Sequence, residues 1–351
     1  MKVGILTFHN GINHGGFFQA FSTYSFLKAN NYDVEIINYK NKRHWLAEYK
    51  AFLFWSWILK INPKILFLNI RKIRSFKKDQ KQMRMSKFTT NVSDISLDYD
   101  AIVVGSDIVW NYEWAFLGKD PIYFGHGLNT NKLVSYAPSF GPIDCKNTTI
   151  PNYVKTGLEN FSHLSVRDEN SKCLVKTAID KDVKVVLDPV FLYDTVGMEN
   201  DIIYNKPFIL IYAFQLRDSD ILQIKDFAKK NNLKTVAVGY SQPWCDDNLI
   251  TLGPFDWISY FSKASYILTS TFHGTLFSLK YKKNFITSNN VSISNKVKTI
   301  LSKIGLLDRL TDGDLNFGKL YSSEIDYDLV SDKLDPLIKE SKNYLLGALT
   351  K

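Results

Sequence analysis

The sequence predicts an α/β protein built from two doubly wound domains in tandem that face one another across a cleft. Short, continuously apolar runs such as 101–104 (AIVV) and 208–213 (FILIYA) alternate with amphipathic ones, the pattern of a parallel sheet covered on both faces. That alternation occurs twice, on either side of a loop-like stretch at about 193–206. A length of 351 residues also suits two ordinary domains better than one.

In chain order, the first domain spans 1–192. Strand-like KVGILTF leads into helix-like GGFFQAFSTYSFLKANN and then DVEIINY. A basic insertion at about 45–90 follows, and after it AIVVG, KLVSYAP, HLSVRD and KVVLDP read as strands, with NYVKTGLENF and SKCLVKTAI as helices. The second domain spans 207–321: FILIYAF, TVAVGY, YILTS and NFITS as strands, DSDILQIKDFAKKNN and DWISYFSKA as helices. A tail at 322–351 reads as a helix that packs back on the first domain. Ligands of open α/β sheets bind beyond the carboxyl ends of the strands, so the expected site is the cleft that those ends line.

Composition narrows the class. Hydrophobic residues at 45% and charged residues at 23% describe a soluble globular chain. The first residues, MKVGILTFHNG, read as a strand rather than a signal peptide. Cys145, Cys173 and Cys245 are odd in number, far apart and without a Cys-x-x-Cys pair. They predict no disulfide framework and no zinc site, and the expected location is the reducing cytoplasm.

The net charge of +9 has a definite address. Residues 60–87 hold ten Lys or Arg against the single Asp79, so the rest of the chain is neutral overall. Just before them lies an apolar run, 51–59 (AFLFWSWIL), about half of what spans a bilayer. Segment 51–87 therefore suits a peripheral position on the cytosolic membrane surface or a phosphorylated, lipid-linked substrate. An ordinary amphipathic helix with a solvated basic face is the plain alternative. No nucleic-acid-binding motif accompanies the charge, so nucleic acid is not expected as a partner.

Individual residues then stand out. His273 follows a strand and opens a helix, where unpaired N–H groups favour an anion, and its imidazole can donate a proton or stabilise developing charge. Gly274 permits close approach, and Thr269, Ser270 and Thr271 supply hydroxyls. Capping of the helix alone would also explain this group. Arg167, after another strand, has the planar fork for a carboxylate or phosphate, or an ion pair with neighbouring Asp168 or Glu169. Asp107 ends the strand in VVGSD as a candidate base or as a helix cap. HNGINHGG is neither a dinucleotide fingerprint nor a P-loop, His9 and His14 have no ligand partners at helical spacing, and no Gly-x-Ser-x-Gly elbow occurs. Neither a cofactor nor a metal is expected.

Taken in order, NHGGFFQA (13–20), DYDAIVVGSDIVWN (98–111), VSYAPSFG (134–141), LSVRDEN (164–170), VLDPVFL (186–192) and STFHGTLFS (270–278) resemble the polysaccharide pyruvyl transferase family. SNKVKTILSKIGLLDRL resembles its C-terminal block. The resemblance implies two Rossmann-like domains in a GT-B-like fold and no bound metal. It also implies a reaction in which phosphoenolpyruvate, a co-substrate, delivers its pyruvyl group to two hydroxyls of a saccharide as a cyclic ketal, with release of phosphate. Acceptors of such enzymes are typically lipid-linked saccharides destined for capsule, exopolysaccharide or cell-wall polymer.

Carried over residue by residue, the resemblance places donor contacts at Arg167, Ser270, Thr271, His273, Gly274 and Lys296. Acceptor contacts fall at Asn13, Gly15, Gly16, Gln19 and Ser106. The catalytic residues are then His273, Arg167 and Asp107: His273 the acid, toward the methylene carbon or the departing phosphate, Arg167 the cation on the donor, and Asp107 the base. Two other readings compete: a GT-B glycosyltransferase with a nucleotide-sugar donor, and a non-catalytic partner of a polysaccharide pathway held at a membrane surface.

Overall fold

The computed structural model describes residues 1–50, 63–95, 98–117, 119–313 and 317–350. The apolar run 51–59 and Lys60 lie outside the described residues. Contacts divide the chain into a first unit (Met1–Asn69, Gln80–Asp194, Pro336–Lys351) and a second (Ile70–Asp79, Thr195–Asp335). Residues 70–79 of the basic insertion thus cluster with the second unit, whereas the sequence places the whole insertion in the first domain.

The first unit contains β1 (Lys2–Leu6), α1 (His14–Ala29), β2 (Asp33–Ile36), α2 (Lys42–Tyr49) and the start of α3 (Pro63–Gln80). Then come β3 (Ala101–Val104), β4 (Leu133–Ser135), α4 (Asn152–Leu158), β5 (Ser165–Val166), α5 (Glu169–Ile179) and β6 (Lys184–Val185). Its main sheet runs β2-β1-β3-β4, all parallel, beside a parallel β5-β6 pair. Leu6, Ile102, Val104, Trp110, Phe124 and Phe140 belong to one buried cluster, which explains why β3 reads as uninterrupted apolar sequence. Strand order reverses between β1 and β3, the switch point at which α/β sheets bind ligands.

The second unit contains β7 (Phe208–Tyr212), α6 (Asp218–Lys230), β8 (Lys234–Val238), β9 (Asp247–Leu249), α7 (Pro254–Lys263), β10 (Tyr266–Thr269) and α8 (Phe272–Lys280). β11 (Asn284–Ser288), α9 (Ser294–Ile304), β12 (Leu310–Thr311) and α10 (Phe317–Ser322) complete it. The six parallel strands run β12-β11-β10-β7-β8-β9, with the switch point between β7 and β10. Both edge strands, β9 and β12, escape the sequence reading because a strand of three or two residues carries no periodic signal.

The inward face of α3 carries an acid. Asp79 accepts from the Phe255 backbone N–H at 3.2 Å and so caps α7, which Pro254 opens. The tail forms α11 (Tyr327–Thr350), with Pro336 inside it at the point where contacts pass from the second unit to the first. Within the first unit, the Tyr344 hydroxyl donates to the Ser135 carbonyl at 3.2 Å, and Ser341 Oγ accepts from Leu187 N–H at 2.9 Å.

One expectation is corrected. Cys145 and Cys173 are joined as a disulfide with Cα atoms 6.0 Å apart. They lie 28 residues apart, and folding brings the loop after β4 onto α5, where Asn170 bonds to the backbone of both Cys145 and Ile143. Cys245 remains a buried thiol.

Candidate functional site

The switch point of the first unit is built by Gln19. From α1 its amide donates to Thr7 Oγ1 at 2.8 Å and its carbonyl accepts from Ser106 N–H at 3.1 Å, tying the loop after β1 to the loop after β3. Ser106 Oγ donates to the Ala137 carbonyl at 2.7 Å. Gln19 and Ser106 are fully buried, so both brace the switch point from beneath rather than present themselves to a ligand. Asn13 is exposed and caps α1 by accepting from Gly16 N–H at 3.2 Å, with Gly15 and Gly16 buried in the first turn.

Asp107 has a φ of 75° and Ala137 one of 51°, conformations a residue with a Cβ holds only when its surroundings enforce them. Gly105 has no such option: at φ +110° an added Cβ would lie 2.5 Å from the Tyr136 carbonyl oxygen. The Asp107 carbonyl accepts from Ser139 N–H at 2.8 Å and its Oδ1 from Ile108 N–H at 2.9 Å. The same Oδ1 is reached by Arg167 Nη2 at 3.4 Å, while Arg167 Nη1 reaches Asp188 Oδ2 at 2.8 Å. Burial opposes the guanidinium charge, but Asp188 and Asp107 outweigh it and hold the pKa of Arg167 above its ordinary value. Two ion pairs of Arg167 thus run to residues distant in sequence, and neighbouring Asp168 adds to the same field. Asp168 instead caps α5, accepting from Ser171 N–H at 2.8 Å and from Ser139 Oγ at 2.6 Å. Asp188 was not singled out by the sequence; its only signal is its place in VLDPVFL.

In the second unit Thr269 Oγ1 donates to the Tyr212 carbonyl at 2.7 Å and accepts from Thr271 N–H at 3.1 Å. Thr271 in turn caps α8, accepting from Gly274 N–H at 2.9 Å. Gly274 is required by contact: an added Cβ would meet Thr269 Oγ1 at 2.0 Å. Ser270 Oγ accepts from Phe214 N–H at 2.9 Å, and the Ser270 carbonyl accepts from Asn290 Nδ2 at 2.9 Å, so the loops after β7, β10 and β11 are joined.

Phe272 gathers the remaining groups. The His273 ring stands edge-on to it at 5.3 Å, and the Lys296 ammonium of α9 lies 5.4 Å from its centre. His273 and Lys296 are 9% and 8% exposed, whereas Lys298 is exposed. An imidazole and an ammonium thus both lie within 5.4 Å of the Phe272 ring in the first turn of α8, beside the second switch point, groups suited to an anion that must also receive a proton. The expected donor residues accordingly divide between units: Ser270, Thr271, His273, Gly274 and Lys296 in the second, Arg167 in the first.

A sequence model described as polysaccharide pyruvyl transferase matches residues 13–290. Among solved structures, UDP-GlcNAc 2-epimerase from Neisseria meningitidis bound to UDP-GlcNAc is similar at 14% identity over 99% of each chain, with a TM-score of 0.54. UDP-GlcNAc 2-epimerase from Methanocaldococcus jannaschii is similar at 11% identity over 100% of this chain and 99% of its own, TM-score 0.52. An α-glucosyltransferase in complex with UDP gives 11% identity over 99% and 95%, TM-score 0.52. At such identities the likeness is one of fold, and the fold is GT-B-like. No curated protein sequence matches the chain significantly.

Proposed function

The chain belongs to the polysaccharide pyruvyl transferase family and is a transferase, and on that premise we propose that it moves the pyruvyl group of phosphoenolpyruvate onto two hydroxyls of one saccharide. The methylene carbon gains a proton and becomes the methyl group. The adjacent carbon takes one bond from each hydroxyl oxygen and loses its bond to the phosphate oxygen. Two hydroxyl protons are released, phosphate leaves, and a cyclic ketal remains.

The observation that carries this reading is the grouping of His273 and Lys296 about Phe272 at the start of α8. Phosphoenolpyruvate has a carboxylate and a phosphate, and an ammonium with helix N–H groups answers both. His273 is the proton donor, to the methylene carbon or to the leaving phosphate. Asp107, fixed by Arg167, is the group that receives a hydroxyl proton in the first unit, and Arg167 acts by positioning it. Asn13 stands at the exposed edge of the same switch point, on the acceptor side.

The acceptor is a lipid-linked saccharide of capsule, exopolysaccharide or cell-wall synthesis, met at the cytosolic membrane surface. Supporting this, Phe67, Arg71, Arg74 and Lys78 are exposed at helical spacing along α3, an aromatic and basic stripe that follows the apolar run 51–59 in sequence. Among the described residues no helix is long and apolar enough to cross a membrane. Competition decides between this reading and a nucleotide-sugar transferase. Phosphoenolpyruvate should bind saturably and UDP should not displace it; UDP binding with no response to phosphoenolpyruvate would overturn the proposal.

A further inference from the structure

α3 sends one cation inward. Lys72, in the part of the helix that belongs to the second unit, donates to the Gly239 carbonyl at 2.7 Å, and its ammonium lies 5.8 Å from the centre of the Tyr240 ring. Among the described residues no carboxylate pairs with it. Burial pushes its pKa down to about 8, which measures how little the surroundings do to compensate the charge.

Gly239 and Tyr240 follow β8, so Lys72 sits at the carboxyl end of the sheet. The Tyr240 ring leans on Tyr212 at 5.3 Å and meets the edge of Phe214 at 5.7 Å. Phe214 follows β7 at the switch point and is 68% exposed. Its exposure is not the looseness of a loop tip. Phe214 N–H is held by Ser270 Oγ at 2.9 Å, and the preceding Ala213 carbonyl accepts from buried Gln242 Nε2 at 2.7 Å. A large apolar ring is thus fixed in contact with water, and on the neighbouring Tyr240 lies a partly desolvated lysine with no carboxylate partner among the described residues. Both arrangements cost free energy, and both lie where parallel sheets receive ligands. Ser270 links this platform directly to the loop that carries Thr271 and His273.

We infer that Phe214, Tyr240 and Lys72 form a second subsite of the site in this unit, taking a glycosyl phosphate whose sugar face lies on Phe214 and whose phosphate meets Lys72. Phosphoenolpyruvate has no ring to occupy the platform. The inference rests on the proposed reaction only in assigning this ligand to the acceptor, and it narrows the acceptor to a saccharide bearing phosphate at its anomeric carbon. Lys72 therefore has a task distinct from the outward basic residues of α3.

The test is calorimetry on the full chain with glucose 1-phosphate and N-acetylglucosamine 1-phosphate, against free N-acetylglucosamine, inorganic phosphate and UMP. At least one sugar phosphate should bind, about tenfold or more tighter than the free sugar or phosphate, as expected for one charge-assisted contact added to ring stacking. Phe214→Ala and Lys72→Met should each weaken it about tenfold, while phosphoenolpyruvate affinity stays within about twofold of wild type. Phe214 is exposed and Lys72→Met removes a buried charge, so both variants should fold. The subsite is wrong if neither sugar phosphate binds, if both substitutions leave binding unchanged, or if UMP is preferred. Failure of the pyruvyl-donor reading would appear elsewhere, as phosphoenolpyruvate binding that is absent or indifferent to His273→Ala.

Discussion

Arg167 Nη1 and Asp188 Oδ2 lie 2.8 Å apart with side chains 1% and 0% exposed, and the other arm of the same guanidinium reaches Asp107. A buried pair of this kind is worth little against an apolar replacement of both partners, yet removing one partner strands the other charge. Arg167→Ala should therefore lower stability by about 3–5 kcal/mol, read from urea unfolding, and Asp188→Ala by a similar amount. The double variant should lose much less than the sum. Additive losses would mean that the two side chains do not act as a unit.

Gly274 inverts a general rule. In a helix, Gly→Ala normally stabilises by up to about 1 kcal/mol. Here the new Cβ would strike Thr269 Oγ1 and the capping Thr271 Oγ1, so Gly274→Ala should destabilise by about 1–3 kcal/mol and weaken donor binding. A more stable variant would show that the α8 turn has room to spare.

His44 supplies the pH dependence. It lies between Phe8 and Phe116, each at 5.3 Å, and burial, with Lys40 adding repulsion, lowers its pKa from 6.5 to about 4. Between those values the unfolded chain binds a proton that the folded chain refuses, so stability falls as the solution is acidified from pH 6.5 toward 4. The full effect corresponds to about 3 kcal/mol at most. His44→Gln should flatten that part of the stability profile. His9, also lowered by burial, contributes in the same direction in both proteins, so the difference between the two profiles is the quantity to measure. Parallel profiles would remove His44 from the account.

The outward stripe of α3 makes a separate prediction. Co-sedimentation with vesicles containing phosphatidylserine should fall steeply with salt, by roughly 1 kcal/mol for each basic residue engaged. Arg74→Glu with Lys78→Glu should abolish it without changing phosphoenolpyruvate affinity. Equal retention on neutral vesicles would point to apolar insertion instead.

How much of this was legible in the sequence depends on how far each feature reaches along the chain. The principal strands and the helix that His273 opens are local patterns of apolar spacing and capping, and they stand where the sequence puts them. Partners were not legible. Asp107 and Asp188 are 60 and 21 residues from Arg167, and no periodicity links them. The Cys145–Cys173 disulfide escaped for the same reason. Counting charges in 60–87 treats every lysine as solvated, and it hides that Lys72 and Asp79 turn inward while Arg74, Lys77 and Lys78 remain exposed. Gln19 and Ser106 were recognisable as belonging to the switch point, but their burial, and hence their bracing role, is a property of packing alone.

His273 and Lys296 are the residues proposed to hold the pyruvyl donor. The most direct measurement is the affinity of phosphoenolpyruvate for the wild-type chain, His273→Ala and Lys296→Met, with unfolding curves for all three. Saturable binding should be weakened by about ten- to a hundredfold in each variant, the size of one lost charge-assisted contact, with stability little changed. Wild-type binding that survives both substitutions undiminished would contradict the proposal.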